Sequence, residues 1–264
     1  MITSYLPEDD KHGSVLQRQL ETAYAPQKIE VINLADNGEF IARYLTTGKY
    51  EKQRAGLKGL DVAIICFGIN DQKRFDTAEF RQQLLDLIDL LKKDFPGVRI
   101  ILQTGVYADY PAHYVTDRNQ TLIPYWDTIR SVGAELGLPV CEVYQAMEQA
   151  TKEGNWDLRI RQQSKDKPPR FVLDASQDHE HVGNVAWFSD IHPNPEGVRV
   201  AVKEQGKALK EIFPKELPMG NQIASRESKP NSFYIELLHC PAERLQASAK
   251  RPSVDQLQTP IGAK

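Results

Sequence analysis

Leu60-Asp61-Val62-Ala63-Ile64-Ile65-Cys66-Phe67, followed at once by Gly68-Ile69-Asn70-Asp71, is the stretch on which the fold turns. Asp61 is its one charge before the glycine, and every other residue of the run is apolar. A strand with one wet face alternates polar and apolar residues, whereas a strand buried on both faces of a parallel sheet reads as a continuous apolar run. The block that follows it therefore stands at the carboxyl end of a buried parallel strand, where open α/β sheets place their sites.

Outward from this run the chain alternates strand-like and helix-like periods. His12 to Ala25 reads as a helix, with Val15, Leu16, Leu20 and Ala23 at roughly helical spacing. Ile29 to Leu34 reads as a short strand. Asp76 is placed to cap a helix from Thr77 to Phe95 whose Phe80, Leu84, Leu87, Ile88 and Leu91 share one stripe, and Pro96-Gly97 ends it before a strand from Val98 to Thr104. Arg118 to Leu136 is a further helix, followed by Gly137 and a short strand Pro139 to Val143. The last core helix runs from Pro195 to Phe213, with Pro214 as its stop. Such alternation predicts an α/β fold with a parallel sheet covered on both faces.

With 264 residues, of which 41% are hydrophobic, the chain can bury one good core, which predicts an α/β domain over 1–214 and an extension over 215–264. From Lys215 onward polar and small residues dominate and prolines recur. One run stands out there, Ser232 to Cys240 (SFYIELLHC), and it is expected to pack on the surface as an edge strand or a short helix. The net charge of -3 gives no basic footprint for a phosphate backbone, and no window approaches the roughly 18 apolar residues of a membrane helix. Nucleic-acid and membrane roles are thereby disfavoured. Cys66, Cys141 and Cys240 are too far apart for a disulfide framework or a Cys-x-x-Cys metal site, and the first two sit in apolar runs as core thiols. No secretory leader is visible from Met1 onward, and the sequence sets neither compartment nor oligomeric state.

Three blocks carry chemistry. Asn70, after the buried strand, can offer a side-chain N–H to a developing oxyanion without adding charge, although Gly and Asn-Asp are also ordinary turn formers. Ala35-Asp36-Asn37-Gly38-Glu39 likewise follows a strand's carboxyl end, and Asn37-Gly38 alone reads equally as a loop dipeptide. Phe188-Ser189-Asp190-Ile191-His192-Pro193-Asn194-Pro195-Glu196-Gly197 sets His192 on a loop before the final helix. An imidazole there suits a general base, the plain alternative being a histidine that helps cap the helix. Asp178-His179-Glu180-His181 lacks the spacing of a helical metal site and reads as a polar loop, and the charged stretch Lys152 to Arg170 reads as a solvated insertion. Tyr107, Tyr110, Tyr114, Trp187 and Phe188 suit either stacking on a sugar ring or core packing.

In this order the blocks resemble those of the SGNH/GDSL-type ester hydrolases, over about Ser4 to Phe213. The resemblance implies a three-layer α/β/α sandwich whose five-stranded parallel sheet has the flavodoxin-like order 2-1-3-4-5. It implies a serine nucleophile, His192 as base, Asp190 as its orienting carboxylate, and Gly38 N–H with Asn70 as oxyanion donors. It implies no cofactor and no metal, and a small acyl ester as substrate, such as an O-acetyl group on carbohydrate. Two features depart from the pattern. The aspartate usually stands three residues before the histidine, where this chain has Ser189, and Asp190 is two before. The Gly-Asp-Ser block that ends the family's first strand is absent, since Met1-Ile2-Thr3 begins at that point.

Because that strand is central, its absence would leave two neighbours with unpaired backbone groups. The expectation is an internal start at Met1, with an upstream strand ending in Gly-Asp-Ser; entry of the Ser232 to Cys240 run into the gap is the disfavoured alternative. Ser4 and Ser14 lie outside the tight turn that a nucleophile needs. The chain as written is expected to be nearly inactive, the alternative being a non-catalytic domain that binds a glycan or ester.

Overall fold

The computed structural model describes residues 6–57, 59–108, 118–153, 158–163, 171–172, 187–215 and 232–239, and of these it describes 159–163, 171–172, 187–191 and 232–239 by their backbone. The apolar run forms β2 (Val62–Cys66), buried at every position. On one side it pairs in parallel with β3 (Arg99–Gln103), which pairs in turn with the short β4 (Val140–Cys141).

On its other side β2 pairs in parallel with β8 (Ser232–His239), and β8 pairs in parallel with β1 (Lys28–Asn33). The order is β1-β8-β2-β3-β4. In space this is the flavodoxin-like arrangement, with the interior place between β1 and β2 taken by a strand that follows all the other described strands in the chain. The expectation that residues 232–239 pack on the surface is overturned, and so is the expectation of a sheet lacking its central strand. The physical reason is backbone satisfaction: β1 and β2 each present a row of N–H and C=O groups to the space between them, and an eight-residue segment rich in strand-forming residues answers both rows. Cys240 lies outside the described residues.

Seven α-helices among the described residues flank the sheet. They are α1 (His12–Ala23), α2 (Ile41–Thr46), α3 (Lys49–Gly56), α4 (Thr77–Asp94), α5 (Arg118–Leu136), α6 (Val143–Lys152) and α7 (Pro195–Ile212). The α1 and α6 helices pack on α7, and α4 packs on α2 and α5. Asp76 caps α4 as expected, accepting from Ala78 N and Glu79 N at 2.9 Å each, while Glu79 accepts in return from Asp76 N at 3.1 Å. The five-residue stripe of α4 is fully buried, together with Trp126 of α5. The α2, α3 and α6 helices are additions to the expected set. The first spans six residues, too few to display a period, and α3 buries Tyr50 alone. At α6, Val143 belongs to the helix rather than to the preceding strand.

A second, antiparallel sheet has the order β6-β5-β7, from β5 (Arg159–Gln163), β6 (Phe171–Val172) and β7 (Trp187–Pro193). The expected insertion therefore contains a strand, and the expected loop at His192 is a strand. The pairing of β7 with β5 is irregular: Ser189 faces Arg161 and Pro193 faces Arg159, so the stretch with Asp190 and His192 bulges from the ladder. Cys66 and Cys141 are buried free thiols, as expected.

Candidate active site

All five strands of the main sheet run in parallel, so the carboxyl ends of β1, β2 and β8 lie on one edge. After β1 the chain turns at Gly38, whose φ of 68° favours glycine. Glu39, next to it, is 3% exposed and held by two cations, Arg43 Nε on Oε1 at 2.6 Å and Lys49 Nζ on Oε2 at 2.6 Å. Lys49 also pairs with Asp36. A buried carboxylate is costly unless paired, and this pairing ties the Gly38 segment to α2 and α3.

After β2 the chain turns at Gly68, with φ of 117° and no room for a side chain: a Cβ there would stand 2.8 Å from the Trp126 ring. Asn70 is fully buried, and its Nδ2 donates to the Glu39 carbonyl at 3.1 Å. The two expected oxyanion segments are thus joined directly. Asp71, also fully buried, accepts from Ile41 N on Oδ1 at 2.9 Å and from Gly68 N on Oδ2 at 2.8 Å. Burial pushes its carboxyl above the usual range, and those two amide bonds pull it part of the way back. Beside this pair of turns, two guanidinium groups stand over the Phe40 ring, Arg74 at 4.4 Å and Arg43 at 5.1 Å from its centroid.

His192 is 8% exposed. It is not the helix cap: Asn194 caps α7 by accepting from Gly197 N at 2.9 Å, with Pro195 in the first turn. Asn194 N in turn donates to Leu158 O at 3.0 Å, and a Cβ on Gly197 would stand 2.1 Å from that same oxygen, so glycine is required. The direction of α7 follows from its contacts with α1. Gln19 Nε2 donates to Val202 O at 3.4 Å and Tyr24 Oη donates to Phe213 O at 3.0 Å, so the two helices run the same way. Since α1 delivers the chain to the amino end of β1, the first turn of α7 faces the carboxyl edge of the sheet. His192 thus arrives on the second sheet, at the edge that carries Gly38 and Asn70. Asp190 lies in the bulged part of β7.

Other candidates fall away or lie elsewhere. Ser14 is in α1, its Oγ donating to Glu8 at 3.4 Å, and Ser4 lies outside the described residues. Cys66 ends β2 close to the site, yet burial pushes its thiol up to about 12, which leaves almost no thiolate at neutral pH. Tyr107 packs on Tyr144 with ring centroids 5.7 Å apart. Tyr110, Tyr114 and residues 178–181 lie outside the described residues. Among the described residues, no three His, Cys, Asp or Glu side chains gather as a metal site, and no helix is long and apolar enough to cross a membrane. Asp71, Glu39 and Trp126 are site residues that the sequence does not single out. Asp71 stands in the Asn70 block, where a carboxylate reads as a turn former.

A parallel sheet between helices, with the Gly38 and Gly68 turns on its carboxyl edge, places the molecule among the open α/β folds. The model of the GDSL-like Lipase/Acylhydrolase family matches residues 3–200, and the chain belongs to that family. No curated protein matches. Solved structures share the fold at low identity. An α/β hydrolase enzyme, LAE5, from the metagenome of Lake Arreo, Spain, is 18% identical, with 75% of this chain and 81% of that one covered and a TM-score of 0.53. The acetyl xylan esterase AlAXEase is 13% identical over 76% of this chain and 92% of its own, with a TM-score of 0.55. A member of the lipolytic protein G-D-S-L family from Veillonella parvula is 13% identical over 79% and 90%, with a TM-score of 0.51.

Proposed function

We propose that the site receives small acyl esters, in particular O-acetyl groups on carbohydrate. His192 acts as general base, Asp190 orients it, and Gly38 N–H and the Asn70 side chain receive the oxyanion. The bond from Asn70 to the Glu39 carbonyl carries this reading, because it ties together the two segments to which the reading assigns the oxyanion donors. A neutral amide is well suited here, since it meets the negative oxygen of a tetrahedral intermediate without demanding a counter-charge in a buried place. The acetyl xylan esterase with which the fold is shared supports the substrate class.

A second reading has its own observation. The strand between β1 and β2 is β8, and its sequence ends in Leu238-His239 instead of Gly-Asp-Ser. Loss of the nucleophile from a serine hydrolase costs on the order of a millionfold in kcat. This favours a domain that binds such esters with little turnover. One experiment separates the readings: p-nitrophenyl acetate hydrolysis and calorimetric titration with an acetylated xylo-oligosaccharide, on the chain and on His192→Ala. Turnover that His192→Ala abolishes supports the hydrolase. Binding without turnover supports the second reading, and neither binding nor turnover removes both.

A further inference from the structure

Asp71 does more than close a turn. On one side of the site stand Glu39 and Ile41, flanking Phe40, and on the other stand Asn70 and Asp71. Two hydrogen bonds cross between them in opposite directions: Asn70 Nδ2 donates to Glu39 O at 3.1 Å, and Ile41 N donates to Asp71 Oδ1 at 2.9 Å. The second carboxylate oxygen, accepting from Gly68 N at 2.8 Å, anchors the same side chain to the start of its own turn. One bond alone is a hinge about which an amide can swing, whereas two adjacent bonds of opposite sense fix both distance and orientation.

The chemistry of the partners fits that role. Ile41 is the first residue of α2, whose start has no side-chain cap of its own, so its N–H is one of the orphan donors of a helix start. Asp71 satisfies it from another segment and places a negative group at the positive end of the helix. Asp71 also consumes the amides of Ile41 and Gly68, so these two N–H groups are spoken for within the protein. With no exposed surface, the carboxylate has no solvent to compete for its oxygens.

We propose that Asp71 is the positioning residue of the site: it acts through Asn70, holding the Asn70 amide and the Gly38 segment at a fixed separation. This rests on the reading of Asn70 and Gly38 as oxyanion donors. Displacing such a donor by about 1 Å is enough to cost on the order of a hundredfold in rate.

The test uses the whole chain, with 15N-labelled side-chain amide spectra and p-nitrophenyl acetate kinetics side by side. Asp71→Asn keeps shape and volume but turns an amide N–H toward one of the two backbone donors. The expected result is a folded protein in which the Asn70 Nδ2 resonances shift and exchange with water about tenfold faster, with kcat down by about tenfold to a hundredfold at nearly constant KM. Asn70 resonances and exchange identical to wild type in folded Asp71→Asn overturn the proposal. If Asp71→Asn does not fold, Ile41→Pro and Ile41→Ala decide: both lose the buried side chain, the first also loses the N–H, and proline is tolerated at the first position of a helix. A larger Asn70 shift in the proline variant upholds the proposal, and equal spectra overturn it. Absence of turnover in the wild type counts against the hydrolase reading alone, because the spectra judge Asp71 without any turnover.

Discussion

His239 stands in register with Cys66, the last residue of the buried apolar strand. Two segments separated by most of the chain therefore finish side by side on the edge that carries the candidate site.

Removal of residues 216–264 takes β8 out of the sheet and leaves β1 and β2 facing an empty slot. We expect the truncated protein to lose cooperative urea unfolding and to bind a hydrophobic dye. Leu237→Pro, in register with both Asn33 and Ile64, is a milder version, expected to cost about 2 kcal/mol or more, since each lost ladder bond strands a buried partner. Unchanged melting of the truncated chain would contradict the strand order.

Gly68→Ala forces a side chain into a left-handed backbone and against Trp126 at 2.8 Å. A loss of about 1–3 kcal/mol is expected from the backbone term alone. In a Trp126→Leu background, itself destabilised by the cavity, Gly68→Ala should cost less than in the wild type, because the clash is gone while the strain stays; a double-mutant cycle in denaturant titrations measures the difference.

His12, with no exposed surface, lies against α7, and burial holds its imidazole pKa well below 6.5. The folded chain thus refuses a proton that the unfolded chain accepts as the pH falls below about 6.5. Stability is full above that value and declines below it, by about 1.4 kcal/mol per pH unit until the depressed native value is reached. Urea midpoints at pH 7.5 and 5.5 should show His12→Gln losing less on acidification than wild type. Equal losses would refute the assignment.

Cys66 and Cys141 are buried, and burial raises both thiols, Cys66 to about 12 and Cys141 well above its ordinary value. Neither is expected to react with iodoacetamide at pH 8 in the folded protein, and both should react once it is unfolded. Fast labelling of Cys66 in the native state would reopen it as a nucleophile.

Asp190 and Ser189 compete for the place of the orienting residue. Where the proposed hydrolysis is measured, Asp190→Asn is expected to lower kcat by a hundredfold or more, toward the roughly 10⁴ lost when a triad carboxylate is replaced, and Ser189→Ala to change it little. The reverse pattern would move the role to Ser189.

What the sequence made legible was local. The continuous run at Val62–Cys66 announces a buried strand, the Asp76 cap and apolar stripe announce α4, and Arg118–Leu136 reads to its observed bounds. Asn70 and Gly38 fall at strand ends in both sequence and structure. The partner of Ser232–His239 is not legible, because an apolar run states that it will be buried and says nothing of which strand it will meet. His192 reads as a loop residue since β7 pairs irregularly with a strand inside a charged stretch, and neither half shows a clean alternation. Asp71 escapes notice because a carboxylate's partners in this site are backbone amides, which leave no mark in the sequence.

Lys28 of β1 waits for Ser232 of β8, 204 positions further on in the register. At about 5–20 residues per second of synthesis, the first sheet strand is made some 10 to 40 s before its neighbour exists. The facing edges of β1 and β2 stay unpaired over that interval, and closure of the main sheet waits for the synthesis of β8.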